Sequence, residues 1–317
     1  MKLVFYLVLA LGIAPFLPAA VIGTNSSALP LSAKRVAELP KNRQPAWQKY
    51  LERSDRQWLA DRDFFRAEMK KHNVKESLSP PPGSSGNRLP LNQPATWYGQ
   101  AEALRRADIV ISFQTPAGGW SKNLDLTQHS RAPGEQFAGG NTSIYLAKSD
   151  NDAPRDSSWN YVGTFDNSAT TTQLRYLAKV VAAVGPDHSA SFRAAFSRGM
   201  EYIRAAQFPA GGWPQVWPLQ GGYHDAITYN DDAMIRVLQL LSEVTAGQNE
   251  FAFVPDGMRK LADASLQRGI ACILETQIVT EGRRTVWGQQ HDALTLQPAS
   301  ARNTKCRRRA PPRAQPS

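Results

Sequence analysis

Two short polar clusters place carboxylate and amide oxygens directly before apolar helical patterns. They are residues 164–167 (Thr-Phe-Asp-Asn) and residues 229–232 (Tyr-Asn-Asp-Asp). Hard cations such as Ca2+ prefer oxygen ligands from carboxylates and carbonyls. Asp166, Asn167 and Asp231, brought together from two helix starts, would therefore form half of a calcium site. A sugar acid and water would complete its coordination.

Helix capping is the competing interpretation of these clusters, because aspartate and asparagine are common N-cap residues. For Asp166 and Asn167 considered alone, capping is the simpler explanation, and Asn230 is a candidate cap for the helix that follows it. Two adjacent carboxylates, Asp231 and Asp232, exceed what a cap requires. We therefore predict that Asp232 binds substrate beside the cation site.

Two Gly-Gly-Trp loops supply further candidates on segments that would display them. Residues 114–120 (Gln-Thr-Pro-Ala-Gly-Gly-Trp) recur as residues 207–213 (Gln-Phe-Pro-Ala-Gly-Gly-Trp). Trp120 and Trp213 either stack on a sugar ring or plug the core, and both interpretations stay open. Lys122 either pairs with a sugar carboxylate or is an ordinary solvated lysine. We take these three side chains as candidate substrate-binding residues, since loops on a rigid scaffold often carry function.

Other reactive side chains carry weaker signals. His291, within residues 287–292 (Trp-Gly-Gln-Gln-His-Asp), is either a general base or a hydrogen-bonded structural histidine. Residues 149–152 (Ser-Asp-Asn-Asp) begin like a calcium loop but lack the glycine and terminal glutamate of an EF-hand, which favours a solvated loop. Cys272 lies inside a helical pattern and is expected to be a small buried apolar residue.

The repeat indicates an architecture of helical hairpins. Each copy closes a helix with glutamine and opens an equivalent loop, and a degenerate third copy runs from Gln277 to Trp287. Repeats of this kind stack supersecondary units side by side, so we predict an all-α fold, a toroid of helical hairpins with little β-structure. Apolar periodicity and stop signals predict helices at residues 47–71, 96–114, 168–184, 189–207, 231–246 and 257–277.

The beginning of the chain suggests export. Residues 1–20 combine a basic residue, an apolar run and a small-residue end, which is typical of a secretory signal peptide. A membrane anchor is the alternative, but the run is shorter than a span requires. We expect residues 21–90 to be an N-terminal segment whose Pro-Gly-rich part, 79–86, is a flexible connection, and residues 91–303 to be the toroid. The protein would be secreted or periplasmic, without membrane association after signal removal.

The basic composition is concentrated at the end of the chain. The formal net charge is +10, but five of the lysines and arginines lie within residues 304–317, so the surplus is halved to +5 without them. A mildly basic exported protein fits an acidic extracellular polymer better than nucleic acid. Residues 304–317 show no hydrophobic period, and we interpret them as an aberrant basic tail, from a frameshift or a truncated gene, rather than a designed extension.

Five motifs occur in order: Gly-Gly-Trp-Ser-Lys-Asn at 118–123, Thr-Phe-Asp-Asn-Ser-Ala-Thr at 164–170, Gly-Gly-Trp-Pro-Gln at 211–215, Thr-Tyr-Asn-Asp-Asp-Ala-Met at 228–234 and Trp-Gly-Gln-Gln-His-Asp at 287–292. Together they resemble the pectate lyases of polysaccharide lyase family 10. The resemblance implies an (α/α)3 toroid, calcium dependence and anti β-elimination on polygalacturonate, an α-1,4-galacturonan. It also implies that Asp166, Asn167 and Asp231 belong to the calcium and substrate site and that Arg302 is the catalytic base.

The chain departs from the family pattern after Asn303, so we expect the toroid to be C-terminally incomplete. Two other functions stay open. A glycoside hydrolase on the same toroid would use two carboxylates, such as Asp166 and Asp231, as acid and base and would not need Ca2+. A non-catalytic pectin-binding remnant would keep the loops and lose the rest of the site. In each case we expect a monomer whose partner is pectin.

Overall fold

The regular structure is mostly helical. The computed structural model describes Leu29 and residues 31–83, 88–139 and 162–299. Within these ranges the helices are α1 (Ala33–Ala37), α2 (Gln44–Lys71), α3 (Ala101–Ser112), α4 (Thr171–Val184), α5 (Ala190–Ala206), α6 (Ala233–Ala246) and α7 (Asp256–Glu275). The described strands are β1 (Gly163–Thr164), β2 (Val216–Trp217), β3 (Ile227–Thr228), β4 (Val279–Thr280), β5 (Arg283–Arg284), β6 (Gln290–His291) and β7 (Pro298–Ala299).

The predicted helices are present, with ends that differ from the prediction by a few residues. The helix predicted at 96–114 is divided, because a 3₁₀ turn, Ala95–Gly99, precedes α3. The helices predicted to start at residues 168 and 231 start at Thr171 and Ala233, since the residues before them adopt left-handed backbone conformations. None of the described helices is long and apolar enough for a bilayer span.

The helices are arranged in two layers. α4 packs against α5, and α6 packs against α7. α4 also contacts α6, whereas α5 contacts both α3 and α7. One layer therefore contains α4 and α6, and the other contains α3, α5 and α7, as expected for hairpins set side by side. The apolar core between them includes Phe165, Leu177, Ile203, Trp213 and Leu241.

Each copy of the repeat forms a closed loop, which we call a Gln–Trp loop. In the first copy, Gln114 Nε2 donates to the carbonyl oxygen of Gly118 at 2.7 Å. Trp120 Nε1 donates to the carbonyl oxygen of Val110, in α3, at 2.7 Å. Gly118 has φ of 101°, a conformation that glycine adopts without steric cost. The glutamine thus closes the loop, and the indole anchors it to the preceding helix.

The other copies are built in the same way. In the second Gln–Trp loop, the Gln207 amide donates to the carbonyl oxygen of Gly211 at 2.8 Å, and the Trp213 indole donates to that of Ile203 at 2.9 Å. In the third, the Gln277 amide donates to the carbonyl oxygen of Thr285 at 2.9 Å, and the Trp287 indole donates to that of Ile273 at 2.8 Å. The degenerate third copy in the sequence is therefore a structural copy as well. Its longer loop contains the hairpin of β4 and β5.

Antiparallel pairings join successive Gln–Trp loops. β1 pairs with β2, which places Gly163 opposite Trp217 and so joins the segment before α4 to the second loop. β6 pairs with β3, which places His291 opposite Ile227 and joins the segment before α6 to the third loop. β7 adds a third strand beside β6. The loops consequently share one face of the molecule.

The N-terminal helix α2 is bound to the toroid by aromatic and polar contacts. The ring of Trp47 lies 5.6 Å from that of Phe208, and Tyr50 Oη donates to the carbonyl oxygen of Ala206 at 3.0 Å. A second apolar cluster joins α2 to the loop face through Trp58, Phe65, Phe137, Val162 and Val216. The long aromatic-rich helix predicted from the sequence is therefore part of the main packing.

The predicted flexible connection at residues 79–86 is fixed where the structure describes it, at residues 79–83. Gly83 N donates to the carbonyl oxygen of Asn123 at 2.8 Å, and Asp125 N donates to the carbonyl oxygen of Pro81 at 3.0 Å. These backbone hydrogen bonds hold residues 79–83 in place, although their composition predicted a flexible segment. They also hold the segment that follows the first Gln–Trp loop.

Candidate functional site

Asp166 lies at the junction of the first two Gln–Trp loops. Its Oδ2 forms an ion pair with Lys122 Nζ and accepts a hydrogen bond from Gln215 Nε2 at 2.8 Å. Lys122 and Gln215 each stand two residues after the tryptophan of their loop. Equivalent positions of two repeats therefore converge on one carboxylate, and Lys122 is paired rather than free in solvent; its assignment to substrate binding stays a prediction.

Two threonines fix the backbone that presents Asp166. Thr164 Oγ1 donates to the carbonyl oxygen of Gln215 at 2.7 Å and accepts from Asp166 N at 3.1 Å. Thr170 Oγ1 accepts from Trp120 N at 3.0 Å and donates to the carbonyl oxygen of Thr164 at 2.9 Å. The hydroxyls consequently bind the turn before α4 to both Gln–Trp loops. A threonine side chain is short, so its hydroxyl can form these bonds only because the backbone of the turn lies directly beside both loops.

Left-handed backbone conformations concentrate at this site. Eleven non-glycine residues have positive φ within the described ranges, and six belong to the site: Asn123, Asn167, Ser168, Thr170, Asp231 and Asp232. Positive φ is uncommon outside glycine, and for a β-branched threonine it is strained. Such strain persists only where surrounding contacts enforce it, and it often marks functional sites.

The electrostatic environment favours the ionised form of Asp166. Its burial, with 3% of the residue exposed, opposes ionisation, but the Lys122 charge and hydrogen bonds from Lys122, Gln215 and the Asn167 backbone outweigh it. The pKa of Asp166 is therefore below its usual value. Its second oxygen, Oδ1, is buried without a hydrogen-bond partner in the described part of the chain. That oxygen is a vacant acceptor in an otherwise satisfied cluster.

The capping interpretation of the polar clusters is wrong. The N-cap of α4 is Thr170 and the N-cap of α6 is Asp232, and neither makes a side-chain capping bond. Asn230 is not a cap, and its Nδ2 instead contacts the Asp231 carboxylate. Asn167 Nδ2 donates to Asn123 Oδ1 at 3.2 Å. Because the left-handed turns separate these side chains from the helix N-termini, their polar atoms are directed elsewhere.

Asp231 and Asp232 lie on the 3₁₀ turn Asn230–Asp232, which packs against the equivalent turn Asp166–Ser168. The backbone nitrogens of Tyr229 and Asn230 donate to the carbonyl oxygen of Gln289 at 2.9 and 3.1 Å. The third Gln–Trp loop thus holds the second turn as Gln215 holds the first. Asp232 is exposed and pairs with Arg236 at 3.2 Å. The structure therefore places the turn of Asp166 and Asn167 beside the turn of Asp231, and their joint binding of a cation stays a prediction.

The two tryptophans assigned to substrate binding are core residues. Trp120 is fully buried and Trp213 is 1% exposed, and each indole nitrogen is bonded to a helix carbonyl, as described above. Stacking on a sugar needs an exposed ring face, so we correct that assignment in favour of core packing. Trp287, in the third loop, is 42% exposed.

His291 is a structural histidine. Its ring is buried, Nδ1 bonds the carbonyl oxygen of Leu296 at 2.9 Å, and Nε2 accepts from Gly288 N at 3.0 Å. Burial lowers its pKa despite the Leu296 bond, which opposes the shift. Both nitrogens are used by backbone groups, which removes the general-base alternative. Cys272 is buried as expected, and burial raises the pKa of its thiol to about 12.

The side chains at the site offer the type of oxygen ligand that a hard cation prefers, but they are too few to coordinate a cation by themselves. No group of three or more His, Cys, Asp or Glu side chains in the described ranges could hold a metal ion. The available donors are the free Oδ1 of Asp166, the amide of Asn167 and the carboxylate of Asp231. All are the oxygen ligands that Ca2+ prefers. A cation here would therefore need further oxygens from a ligand or from water.

Four predicted features lie outside the described residues. They are the predicted base Arg302, the acidic stretch 149–152, the signal segment 1–20 and the basic tail 304–317. Sequence reasoning also missed three residues that build the site: Gln215, Thr170 and Gln289. Gln215 could have been found from the repeat, because it is the counterpart of Lys122. The hydrogen bonds of Thr164 and Thr170 to the two Gln–Trp loops have no comparable signal in the sequence.

Comparison with known proteins gives consistent results. The family model for pectic acid lyases matches residues 114–308. The chain is similar to a family 10 polysaccharide lyase from Cellvibrio cellulosa, with 32% identity and a TM-score of 0.51 over 68% of this chain and 59% of that chain. A mutant of that lyase in complex with trigalacturonic acid matches over the same shares, with 29% identity and a TM-score of 0.51. No curated protein sequence matches the chain.

These likenesses confirm the predicted all-α toroid of helical hairpins. The chain spans 59% of the length of each of the two solved lyases. The predicted C-terminal incompleteness stays a prediction, because residues 300–317 lie outside the described ranges.

Proposed function

Because this chain belongs to the pectic acid lyase family, we propose that it cleaves polygalacturonate by β-elimination with the help of Ca2+. The observation that carries the proposal is the convergence of Lys122 and Gln215 on the buried carboxylate of Asp166, beside the Asp231 turn. The family supplies the substrate class, and a similar lyase was solved with trigalacturonic acid. Lys122 offers a positive charge for a uronate carboxylate, and Asp166, Asn167 and Asp231 offer oxygen ligands for the cation.

The reaction must stabilise charge next to a carboxylate. A base removes the proton on C5 of the uronate, and the electron pair forms the C4–C5 double bond as the oxygen on C4 leaves. Lys122 is partly exposed, with 23% of its side chain accessible, so it can reach a uronate carboxylate while keeping Asp166 ionised. A positioned cation of this kind stabilises charge that develops in the transition state.

When bound, Ca2+ would neutralise the uronate carboxylate and so lower the barrier to proton removal. Asp166 Oδ1, Asn167 and Asp231 would hold the ion. We propose Asp232, exposed at the same turn, as a substrate contact and Arg302 as the base. Arginine has a pKa above about 12, so a basic role requires neighbouring cations that favour its neutral form.

The hydrolase alternative fits the site less well. A glycoside hydrolase needs one protonated carboxyl group as general acid, usually with a raised pKa. The pKa of Asp166 is lowered, because the Lys122 charge and its hydrogen bonds outweigh burial. Asp166 is therefore ionised at neutral pH and is poorly suited to donate a proton.

The test is an assay of the full chain on polygalacturonate that follows ultraviolet absorbance of the unsaturated product and reducing ends in parallel. We expect both signals to rise together, to disappear with a chelator and to return with added Ca2+. Asp231→Ala should lose activity on the order of 100-fold, whereas Asp187→Ala, at an exposed position before α5, should not. Expressed with residues 1–20 intact, the activity should appear in the periplasm or medium.

Three results would contradict the proposal. Reducing ends without the absorbance of a double bond would indicate hydrolysis. Activity that survives the chelator would remove Ca2+ from the mechanism. Binding of polygalacturonate without turnover, by chain shown to be folded, would indicate the non-catalytic remnant.

A further inference from the structure

Two of the predicted cation ligands each share a hydrogen bond with a neighbouring amide side chain. Gln215 Nε2 donates to Oδ2 of Asp166 at 2.8 Å, and Nδ2 of Asn167 donates to Oδ1 of Asn123 at 3.2 Å. In the described part of the chain, Oδ1 of Asp166 has no partner, and no hydrogen bond uses Oδ1 of Asn167. Each neighbour therefore occupies one polar atom of the ligand and leaves one oxygen available.

The orientation of an asparagine amide decides whether it can bind a cation. Only the carbonyl oxygen is a suitable ligand, because the amide nitrogen is a donor and presents its hydrogens outward. The two ends of the amide have nearly the same shape, so hydrogen bonds rather than packing distinguish them. Since Oδ1 of Asn123 accepts from Nδ2 of Asn167, the nitrogen is held at Asn123 and the oxygen is directed to the other side.

The backbone fixes both asparagines. Asn123 and Asn167 have left-handed conformations, with φ of 58° and 51°, which asparagine adopts more readily than most residues. The carbonyl oxygen of Asn123 accepts from Gly83 N at 2.8 Å. A Cβ atom on Gly83 would lie 2.3 Å from the carbonyl carbon of Leu124, so the segment before the toroid lies directly against this part of the chain. Asn123 is consequently a fixed acceptor beside Asn167.

We propose that Asn123 is a positioning residue for the cation: it binds the nitrogen of the Asn167 amide and so directs the Asn167 oxygen to the ion. The inference rests on the proposed function, in which Asn167 is a Ca2+ ligand. Residues that hydrogen-bond to metal ligands orient them, and their loss typically lowers metal affinity by about 10–100-fold. Asn123 acts through Asn167 and needs no contact with the ion or the substrate.

The probe is Tb3+, which shares the preference of Ca2+ for oxygen ligands, added to the full chain without substrate and followed by its luminescence. Asn123→Gly removes the acceptor, and glycine adopts the same backbone conformation without strain. We expect this variant to bind Tb3+ about tenfold more weakly than the parent. Asn73→Gly is the matched control, because Asn73 has φ of 52° at an exposed position after α2, and it should bind like the parent.

Two further variants test whether Asn123 acts through Asn167. Asn167→Gly should weaken Tb3+ binding, and adding Asn123→Gly to it should cause no further loss, as expected for coupled residues. Asn123→Asp keeps an acceptor oxygen but cannot donate, so it should bind Tb3+ at least as tightly as the parent. Weaker binding by Asn123→Asp would show that the two amides are arranged the other way round. Circular dichroism checks folding, and Asn123→Asp decides alone if Asn123→Gly does not fold.

The Ca2+ dependence of activity separates positioning from a purely structural bond. On polygalacturonate, Asn123→Gly should raise the Ca2+ concentration for half-maximal rate about tenfold and lower the rate at saturating Ca2+ much less. A structural bond would lower the saturating rate without moving the Ca2+ dependence.

Two sets of results distinguish failure of this inference from failure of the proposed function. If Asn167→Gly weakens Tb3+ binding but Asn123→Gly binds like the parent, or if the losses of the two variants add, only the positioning role of Asn123 is overturned. If Asn167→Gly itself leaves the Tb3+ titration unchanged, Asn167 is not a ligand. The inference then fails together with the part of the proposed function that assigns Asn167 to the cation.

Discussion

At the scale of single residues, the site depends on how a buried carboxylate is kept charged. Moving an isolated carboxylate out of water costs several kcal/mol unless a partner compensates it. Lys122 and Gln215 supply that compensation at one oxygen of Asp166, and the other oxygen has no partner in the described part of the chain. The pair therefore stabilises the fold and keeps one acceptor available for a ligand.

Lys122→Met tests this coupling. The substitution removes the positive charge and keeps much of the aliphatic stem, so Asp166 is left as a buried carboxylate without its counter-charge. We expect a loss of about 2 kcal/mol in the free energy of unfolding at neutral pH, measured by urea titration with tryptophan fluorescence. Lys260→Met, at an exposed position of α7, should change it by less than about 0.5 kcal/mol.

The double variant Lys122→Met/Asp166→Asn separates coupling from lost packing. Because the neutral amide needs no counter-charge, the double variant should be more stable than Lys122→Met alone. Additive losses for the two substitutions would show that the ion pair contributes nothing beyond its separate side chains.

At the scale of elements, the Gln–Trp loop depends on close contact between a helix backbone and an indole. Gly199 and Gly269 sit inside α5 and α7, where glycine is normally unfavourable by up to about 1 kcal/mol relative to alanine. They are tolerated because a Cβ atom would meet Trp120 and Leu174 in one case, and Trp213 and Leu238 in the other.

Gly199→Ala is therefore expected to destabilise the protein, by about 1–3 kcal/mol from overpacking, although alanine is the better helix former. A Cβ atom there would lie 2.6 Å from Cδ2 of Leu174. Gly257→Ala, in the first turn of α7 with nothing within 4 Å of an added Cβ, should instead gain up to about 1 kcal/mol. Thermal and urea unfolding of both variants measures the difference. Two shifts of the same sign would show that helix propensity, not the indole contact, decides the outcome.

The sequence predicted the elements better than the contacts between them. Helices such as α4 and α6 follow from apolar periodicity, which depends only on neighbouring residues. The pairing of Lys122 with Asp166 spans 44 positions, and neither spacing nor composition shows it. Trp120 and Trp287 illustrate the same limit, because equivalent residues of one repeat are buried or exposed according to which helix packs outside them. The left-handed turns at Asn167 and Asp231 were likewise missed, since asparagine and aspartate suit caps and turns equally well.

At the scale of the whole molecule, α2 binds the loop face through an apolar cluster that encloses a carboxyl group. Asp61 is fully buried, and its Oδ1 accepts from Gln57 at 2.6 Å. Its Oδ2 has no hydrogen-bond partner in the described ranges. Burial, opposed only by the Gln57 bond, raises the pKa of Asp61 to about 7. Attachment of the N-terminal helix should therefore depend on pH.

The sign of that dependence follows from proton binding. Between the usual aspartate pKa of about 4 and the folded-state pKa of about 7, the folded chain holds a proton that the unfolded chain has lost. Stability should consequently fall as pH rises through this window.

Asp61→Asn keeps the position neutral and retains an oxygen for Gln57. It should therefore raise the free energy of unfolding by about 2 kcal/mol at pH of about 8 and leave it nearly unchanged at pH of about 4. Asp63→Asn, whose side chain is 63% exposed on the same helix, should differ from the parent by less than about 0.5 kcal/mol throughout. Urea titrations at several pH values measure these differences, and a gain for Asp61→Asn that does not grow with pH would show that Asp61 is not the group that limits docking of α2.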